Sequence, residues 1–377
     1  MLNTPKKIFY LAEFSLPSSS AYSIHVLKMC DRLSELTREL TLIVPFINSK
    51  YKNSEIKKDY NLKNSFKVIK IFNFNKSINF IYRIIFSLSI LKLIHKERDS
   101  LVISRSILSS LILSIFQIQN YLELHHDLKG FTKFFFKITN FNYIGRNINY
   151  IFLHKNIYKI FNCQHSNFLI LDDAVEIKDF NNFLNINLKK KNNFVCSYFG
   201  SLTKGKGLEL IEIISKKLKN IEFHIYSDES QYYRSLYKDR KNLIFKEYIK
   251  YNSIPKIMSR YDVVLMPYMF KVFVKSSNLE TSKYMSPLKL FDYMASAKII
   301  IASDLKVYRH ILKNNFNCIL INPLKINLWC KKIIDIKNNY FNYRYLKYNA
   351  YRTVQEFTWE KRAFKILKHY TDLKKKQ

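Results

Sequence analysis

Glycine occurs only five times in 377 residues and proline seven times. That excludes Gly/Ser linkers and low-complexity tracts, and no repeat of fixed period is present. Cysteine is also sparse: Cys30, Cys163, Cys196, Cys318 and Cys330 are an odd number with no C-x-x-C pair. Such a set supports neither a disulfide frame nor a zinc site, and fits ordinary buried thiols in a reducing compartment. No apolar run reaches 18 residues, because Arg83, Lys92 and Gln117 break the nearest candidates, so no transmembrane helix is expected. Lys6 and Lys7 precede an apolar stretch, but Glu13 ends it after five residues, too few for a signal peptide. The expected location is cytoplasmic.

Acidic residues are few as well, 29 against 63 basic ones, for a net charge of +34. Nucleic-acid binding would concentrate arginine on one patch. Here 13 Arg stand against 50 Lys, and the lysines run along the whole chain. Lys, Asn, Ile, Phe and Tyr are the types that AT-rich codons specify, which accounts for much of the bias. No nucleic-acid partner is expected. The charge suits an anionic membrane surface or a phosphate-bearing substrate.

What the chain does contain is enough apolar matter, 48 %, for two ordinary domains. KIFYLAEF (7–14) reads as a buried strand, and Ile24, Leu27, Met29 and Leu33 mark a helix over 21–37. LTLIVP, VIKIF, LVISR and NYLELHH continue as strands, with helices near 80–95 and 107–117. Strands alternating with helices predict a parallel α/β sheet. The basic, aromatic stretch 131–161 reads either as a pair of amphipathic helices on that sheet or as a membrane-surface patch. A polar Asn/Lys segment near 176–193 separates a second α/β half. There FVCSYFG, IEFHIYS, NLIFKEYI, DVVLMP, IIIAS and CILI are strands, LELIEIISKKL, SIPKIMSRY, SPLKLFDYMASA and VYRHILK helices, and the chain from about 325 is helical.

Two stretches carry chemistry. Gly200–Gly207 (GSLTKGKG) joins a strand to a helix, where small residues let backbone approach a phosphate and Lys206 adds a charge. The spacing approaches a P-loop, but Gly207 stands where Mg²⁺ binding requires Ser or Thr. The bland reading is a plain strand–turn–helix. In the second stretch, Ser286–Ala295, Ser286 is a natural N-cap and Pro287 suits the first helical position. Asp292, one and a half turns in, reads either as part of a well-capped amphipathic helix or as a ribose ligand.

YFGSLTKGKGLELI, SPLKLFDYMASAKIIIASD and FTWEKRAFKIL together resemble retaining glycosyltransferases of the GT-B fold, glycosyltransferase family 4. FYLAEFSLPSSSAYSIHVLKMC, LELHHDLKG and LILDDAVEIKDF extend the resemblance over nearly the whole chain. It implies two Rossmann-like domains with parallel sheets facing across a cleft. The acceptor-binding domain would be 1–188, the nucleotide-sugar domain 192–355, and a helix over 356–377 would cross back. It implies that Lys206 binds the diphosphate within a loop including Gly200, Ser201, Lys204 and Gly207, and that Asp292 binds the ribose. Ser286, Pro287, Leu288 and Lys289 would form the helix start at that site. His125 or His126 would stand at the reacting centre, and Ser19, Ser20 and Ala21 in the acceptor loop.

This chain departs from the family at three places. Ser201 replaces an Arg, Tyr284 replaces the first Glu of an E-x7-E pair, and Ser18–Ala21 replace glycines. The missing cation is expected from Lys289, with Lys204 the competing candidate. The implied activity is transfer from a UDP- or GDP-linked sugar to an acceptor hydroxyl, retaining and metal-free, with no cofactor. The acceptor would be a saccharide, a lipid-linked one of the cell envelope, with the protein peripheral at the inner face of the plasma membrane. A non-catalytic nucleotide-sugar binder and a basic nucleic-acid-binding α/β protein are the alternatives.

Overall fold

A computed structural model describes residues 4–73, 79–97, 99–128, 133–134, 136, 147–161, 167–184, 194–274 and 279–375. They form two compact units, Met1–Asp172 with Trp359–Gln377, and Asp173–Thr358. The sequence-based boundary at 188–192 lies outside the described residues.

The first unit is built on a seven-stranded sheet of order β5-β3-β1-β6-β7-β8-β9. Its strands are β1 (Lys7–Leu11), β3 (Glu39–Val44), β5 (Lys67–Lys70), β6 (Ser100–Ser104), β7 (Asn120–Leu124), β8 (Ile148–Phe152) and β9 (Phe168–Ile170). Every pairing is parallel, with Lys7 opposite both Glu39 and Ser100. A small parallel pair, β2 (Ser15–Leu16) and β4 (Phe46–Ile47), lies beside it. Ile8–Leu11 are all buried. Parallel strands covered on both faces must be apolar throughout, hence the unbroken run in the sequence. Side chains cap the crossover helices: Ser20 accepts from the Ser23 N–H at 3.1 Å, Asn79 from Tyr82, and Ser106 from Ser109. Phe86, Ile90 and Ile94, four residues apart, pack on Phe9, Leu11, Ile43 and Val102.

The second unit has a six-stranded sheet of order β12-β11-β10-β13-β14-β15. Its strands are β10 (Val195–Phe199), β11 (Glu222–Tyr226), β12 (Leu243–Lys246), β13 (Val263–Met266), β14 (Ile299–Ser303) and β15 (Ile319–Ile321), all parallel. Helices Leu208–Lys217, Ile326–Asn338 and Arg344–Val354 contribute Ile211, Ile214, Trp329, Ile333, Leu346 and Ala350 to its core.

Three local readings are corrected. Residues 148–152, placed in an amphipathic helix pair, are the buried strand β8. The alternation of Asn149 with large apolar residues satisfies a strand as well as a helix, and pairing with β7 decides it. VYRHILK is a single 3-10 turn, Lys306–Tyr308. Between β11 and β12 stands a helix, Ser230–Leu236, that buries only Ser230 and so carries no apolar stripe.

Strand order reverses between β1 and β6 in one sheet and between β10 and β13 in the other. Doubly wound sheets bind ligands at the carboxyl ends of such strands.

Candidate functional site

In the second unit the chain leaves β10 at Phe199 and turns through Gly200 at φ 130°. The Gly200 N–H donates to Tyr226 O at 2.9 Å. Its missing Cβ is functional space: an added methyl would lie 2.6 Å from Lys289 Nζ. At the far end, Gly207 (φ 97°) caps the helix Leu208–Lys217. A Cβ there would meet Pro267 O at 2.1 Å, so glycine lets the loop press on the residue that follows β13. Hydrogen bonds brace the loop: Leu202 N to Glu229 Oε2 at 2.8 Å, Gly205 N to Glu209 Oε1 at 3.2 Å, and Met269 N to Gly205 O at 2.8 Å.

Lys206 donates from Nζ to Ser201 Oγ at 2.6 Å, so the serine standing in the arginine position orients the loop lysine. Tyr198 OH donates to Ser201 O at 2.8 Å and fixes that turn. Lys289 Nζ lies 3.8 Å from the centre of the Tyr198 ring and 5.3 Å from that of Tyr268. It is buried and has no hydrogen-bond partner among the described residues. Burial depresses its pKa well below the usual lysine value, and the Lys206 charge depresses it further, opposed by Asp292. A buried amine without a partner, beside a second lysine, is costly to charge unless an anion pairs with it. Lys204 is exposed, its Nζ 5.7 Å from the Phe273 ring centre, outside this group.

The helix Leu288–Ala295 begins with Pro287 in the cap position, φ −76° and ψ 127°. Ser286 is therefore not the side-chain cap that the sequence suggests. A buried backbone N–H must find an acceptor, and the Ser286 hydroxyl accepts from Asp173 N at 3.0 Å. The first-turn N–H groups of the helix are consequently left without a side-chain cap. Asp292 is buried, and its Oδ1 accepts from Tyr251 OH at 3.3 Å. Tyr284 is buried too, donating to Glu280 O at 2.9 Å.

In the first unit, three polar side chains follow three neighbouring strands: Glu13 after β1, Arg105 after β6 and His125 after β7. Arg105 lies with its guanidinium carbon 4.0 Å from the Tyr22 ring centre. Glu13 accepts from Ser106 Oγ at 2.5 Å and faces Arg83 Nε at 3.1 Å. Sequence reading missed Glu13 and Arg105 as site candidates. Their signal is positional, since each stands just past the carboxyl end of a strand whose last four residues are buried. Ser20 caps the helix Ala21–Ser34, bonded also to Ser18 and Ser23, while Ser19 and Ala21 are exposed at its start.

His125 and His126 part company. His126 is exposed, its Nδ1 3.0 Å from Asp127 O. His125 turns inward, with Nε2 2.9 Å from Glu123 Oε1. The same oxygen lies 2.8 Å from His25 Nε2 and 2.5 Å from Arg362 Nη2, while Tyr10 OH donates to Oε2 at 2.6 Å. Burial alone would raise the Glu123 carboxyl; His25 and Arg362 beside it, with the imidazole hydrogen bonds, hold it well below the usual carboxylate range. Burial, helped by the Arg105 charge, lowers His125 to about 3, so its imidazole is neutral at physiological pH. His25, Glu123 and His125 have the spacing of a metal cluster, their ligand atoms within 4.8 Å of one another. Arg362 fits that role poorly, because its guanidinium already neutralises the carboxylate a cation would need. Arg362 also donates to Leu171 O and Asp172 O, tying the helix Trp359–Lys374 into this unit.

Residues 193–339 match the family described as glycosyl transferases group 1. Among solved structures, a glycosyltransferase from Rickettsia africae is 14 % identical, with 99 % of this chain and 100 % of that one covered, at a TM-score of 0.74. HepE from Anabaena, solved with UDP and glucose, is 12 % identical over 97 % and 100 % of the chains, at 0.69. WaaG, a glycosyltransferase involved in lipopolysaccharide biosynthesis, is 11 % identical over 96 % and 98 %, at 0.64. No curated protein matches the chain by sequence. Likeness at such identities establishes the fold, which is GT-B. The chain thus has the GT-B fold, and most of its second unit, residues 193–339, is similar to the glycosyl transferases group 1.

Proposed function

We propose that this chain transfers a sugar from a UDP- or GDP-linked donor to an acceptor hydroxyl, with retention of configuration and without a metal ion or cofactor. The carrying observation is the pair of lysines at the β10–β13 switch point, Lys206 beside Ser201 and Lys289 unpartnered over Tyr198. When the bond from the anomeric carbon to the diphosphate breaks, negative charge grows on the leaving oxygen. Two preplaced cations and the uncapped N–H groups of the helix Leu288–Ala295 answer that charge, which is the work a metal does elsewhere. The acceptor oxygen takes the anomeric carbon, and its proton leaves with the diphosphate. Asp292 is the ribose ligand of this reading.

The acceptor, held by the first unit at Ser19, Ser20, Ala21, Glu13, Arg105 and His125, is a lipid-linked saccharide of the cell envelope met at the inner membrane surface. Support comes from the net charge of +34 and from the fold shared with WaaG. The test is incubation with a panel of UDP- and GDP-sugars, in EDTA, and membrane-extracted acceptors, read by mass spectrometry and by the anomeric NMR coupling of the product. Binding of UDP with no transfer to any acceptor and no hydrolysis would instead identify a nucleotide-sugar binder.

A further inference from the structure

We propose that the outward side of the helix Phe80–Ile94 is a docking surface that lies flat on an anionic lipid bilayer. This helix is apolar on both sides. Phe86, Ile90 and Ile94 face the core. On the opposite side Ile81 is 64 % exposed, Ile85 44 % and Leu88 50 %, and Phe80, at the start of the helix, is 57 % exposed. The 81-85-88-92 spacing draws three of these and Lys92 into one stripe. Leu93 and, on the neighbouring helix end, Phe116 are exposed too, and Phe116 lines one hollow with Ile94 and His95. A helix that meets only water carries polar residues on such a face.

Charge selects the occupant. From Tyr60 to Lys96 the chain has Lys63, Lys67, Lys70, Lys76, Arg83, Lys92 and Lys96 and no Asp or Glu. Lys92 and Lys96 are exposed at or just beyond the C-terminal end of the apolar stripe, while Arg83, exposed within it, is already paired with Glu13. A second copy of the chain would bring the same cations to the contact, so self-association through this face is opposed. An anionic headgroup layer meets the cations while the acyl boundary takes the apolar side chains. None of the described helices is long and apolar enough to cross a membrane, so this one lies in the interface plane. The surface is separate from the 131–161 stretch singled out by sequence, of which 131, 132, 135 and 137–146 lie outside the described residues.

The inference rests on the membrane-side acceptor reading for its purpose, and its test uses neither donor nor acceptor, so the two fail separately. Full-length protein is sedimented with vesicles of phosphatidylcholine alone and with equal parts of phosphatidylglycerol. The expected result is binding to the anionic vesicles that weakens with salt. Ile85→Glu with Leu88→Glu lowers it by about tenfold or more, with the circular-dichroism melt unchanged. Should that variant misfold, Ile81→Trp supplies a gain-of-signal readout: brominated lipid quenches the introduced indole but not the buried Trp329 and Trp359. No binding to anionic vesicles at low salt, equal binding by the double variant, or an unquenched indole would overturn the proposal. So would light scattering in which the double variant turns a dimer into a monomer.

Discussion

Lys289 holds its Nζ 3.8 Å from the Tyr198 ring centre, while Lys206, on the Gly200–Gly207 loop, rests on Ser201 at 2.6 Å. One lysine is anchored and the other is stored, uncommitted, against an aromatic face. Lys289→Ala is expected to lower turnover about tenfold or more, in line with losses for a single oxyanion-type donor. Lys204→Ala, which removes an exposed lysine, should change turnover little. Ser201→Arg should restore part of the loss in the Lys289→Ala background. Steady-state kinetics decides; full activity of Lys289→Ala would remove it from the site.

The depressed pKa of Lys289 makes a second prediction, with an explicit sign. Burial disfavours the charged form of Lys289. A bound diphosphate favours the charged form, so UDP binding should take up protons. Titration calorimetry in buffers of different ionisation enthalpy reads the uptake directly. It should vanish in Lys289→Met; uptake of the same size in that variant would assign it elsewhere.

Two glycines at positive φ hold the ends of the loop through different contacts. Gly200→Ala puts a methyl 2.6 Å from Lys289 Nζ, the movable end of a side chain. At φ 130° the substitution also strains the backbone, so it should lower both UDP affinity and stability. Gly207→Ala puts the methyl 2.1 Å from Pro267 O, at φ 97°, where neither partner yields cheaply. It should lower stability by about 1–3 kcal/mol in a denaturant melt.

Glu123→Gln leaves the Arg362 guanidinium buried without its carboxylate. The expected cost is about 3–5 kcal/mol. Arg362→Met in the same chain should recover much of it, since the charge is then removed as well. A Glu123→Gln protein as stable as the parent would show that the pair does not hold the helix Trp359–Lys374 in place.

His125 has a folded-state pKa of about 3 against an ordinary 6.5. Below pH 6.5 the unfolded chain binds a proton that the folded chain refuses, so stability falls as pH drops from there toward 3. The slope from this one group approaches about 1.4 kcal/mol per pH unit. Glu123, also depressed, adds to the loss as pH falls below the usual carboxylate range. His125→Gln should flatten the upper part of the profile, whereas His126→Ala should leave it alone. If one of the two acts at the sugar, it is His125, and His125→Ala should lower turnover more than donor affinity.

Much of the fold was legible because its signals are local. KIFYL, ELTLIV and VCSYF must be buried strands, since a run that apolar cannot face water on either side. The turn from Gly200 to Gly207 was marked by three of the chain's five glycines between a strand and an apolar helix. The stretch 148–152 was not legible, because its pattern serves two periods and only pairing with β7 chooses between them.

The site divides the same way. The sequence by itself determined that lysines cluster near two helix starts at the carboxyl ends of strands, for that depends on neighbours a few residues away. It could not show that the Ser286 hydroxyl is spent on Asp173 N, since only packing decides which buried N–H lacks an acceptor. Nor could it show that Glu123 holds His25, His125 and Arg362 on one oxygen. A carboxylate's partners are set by distance through space, and the guanidinium that neutralises this one arrives from 239 residues further along the chain. Tertiary structure alone buried Lys289 without a hydrogen-bond partner among the described residues, and that desolvation is what sets it apart from a solvated surface lysine.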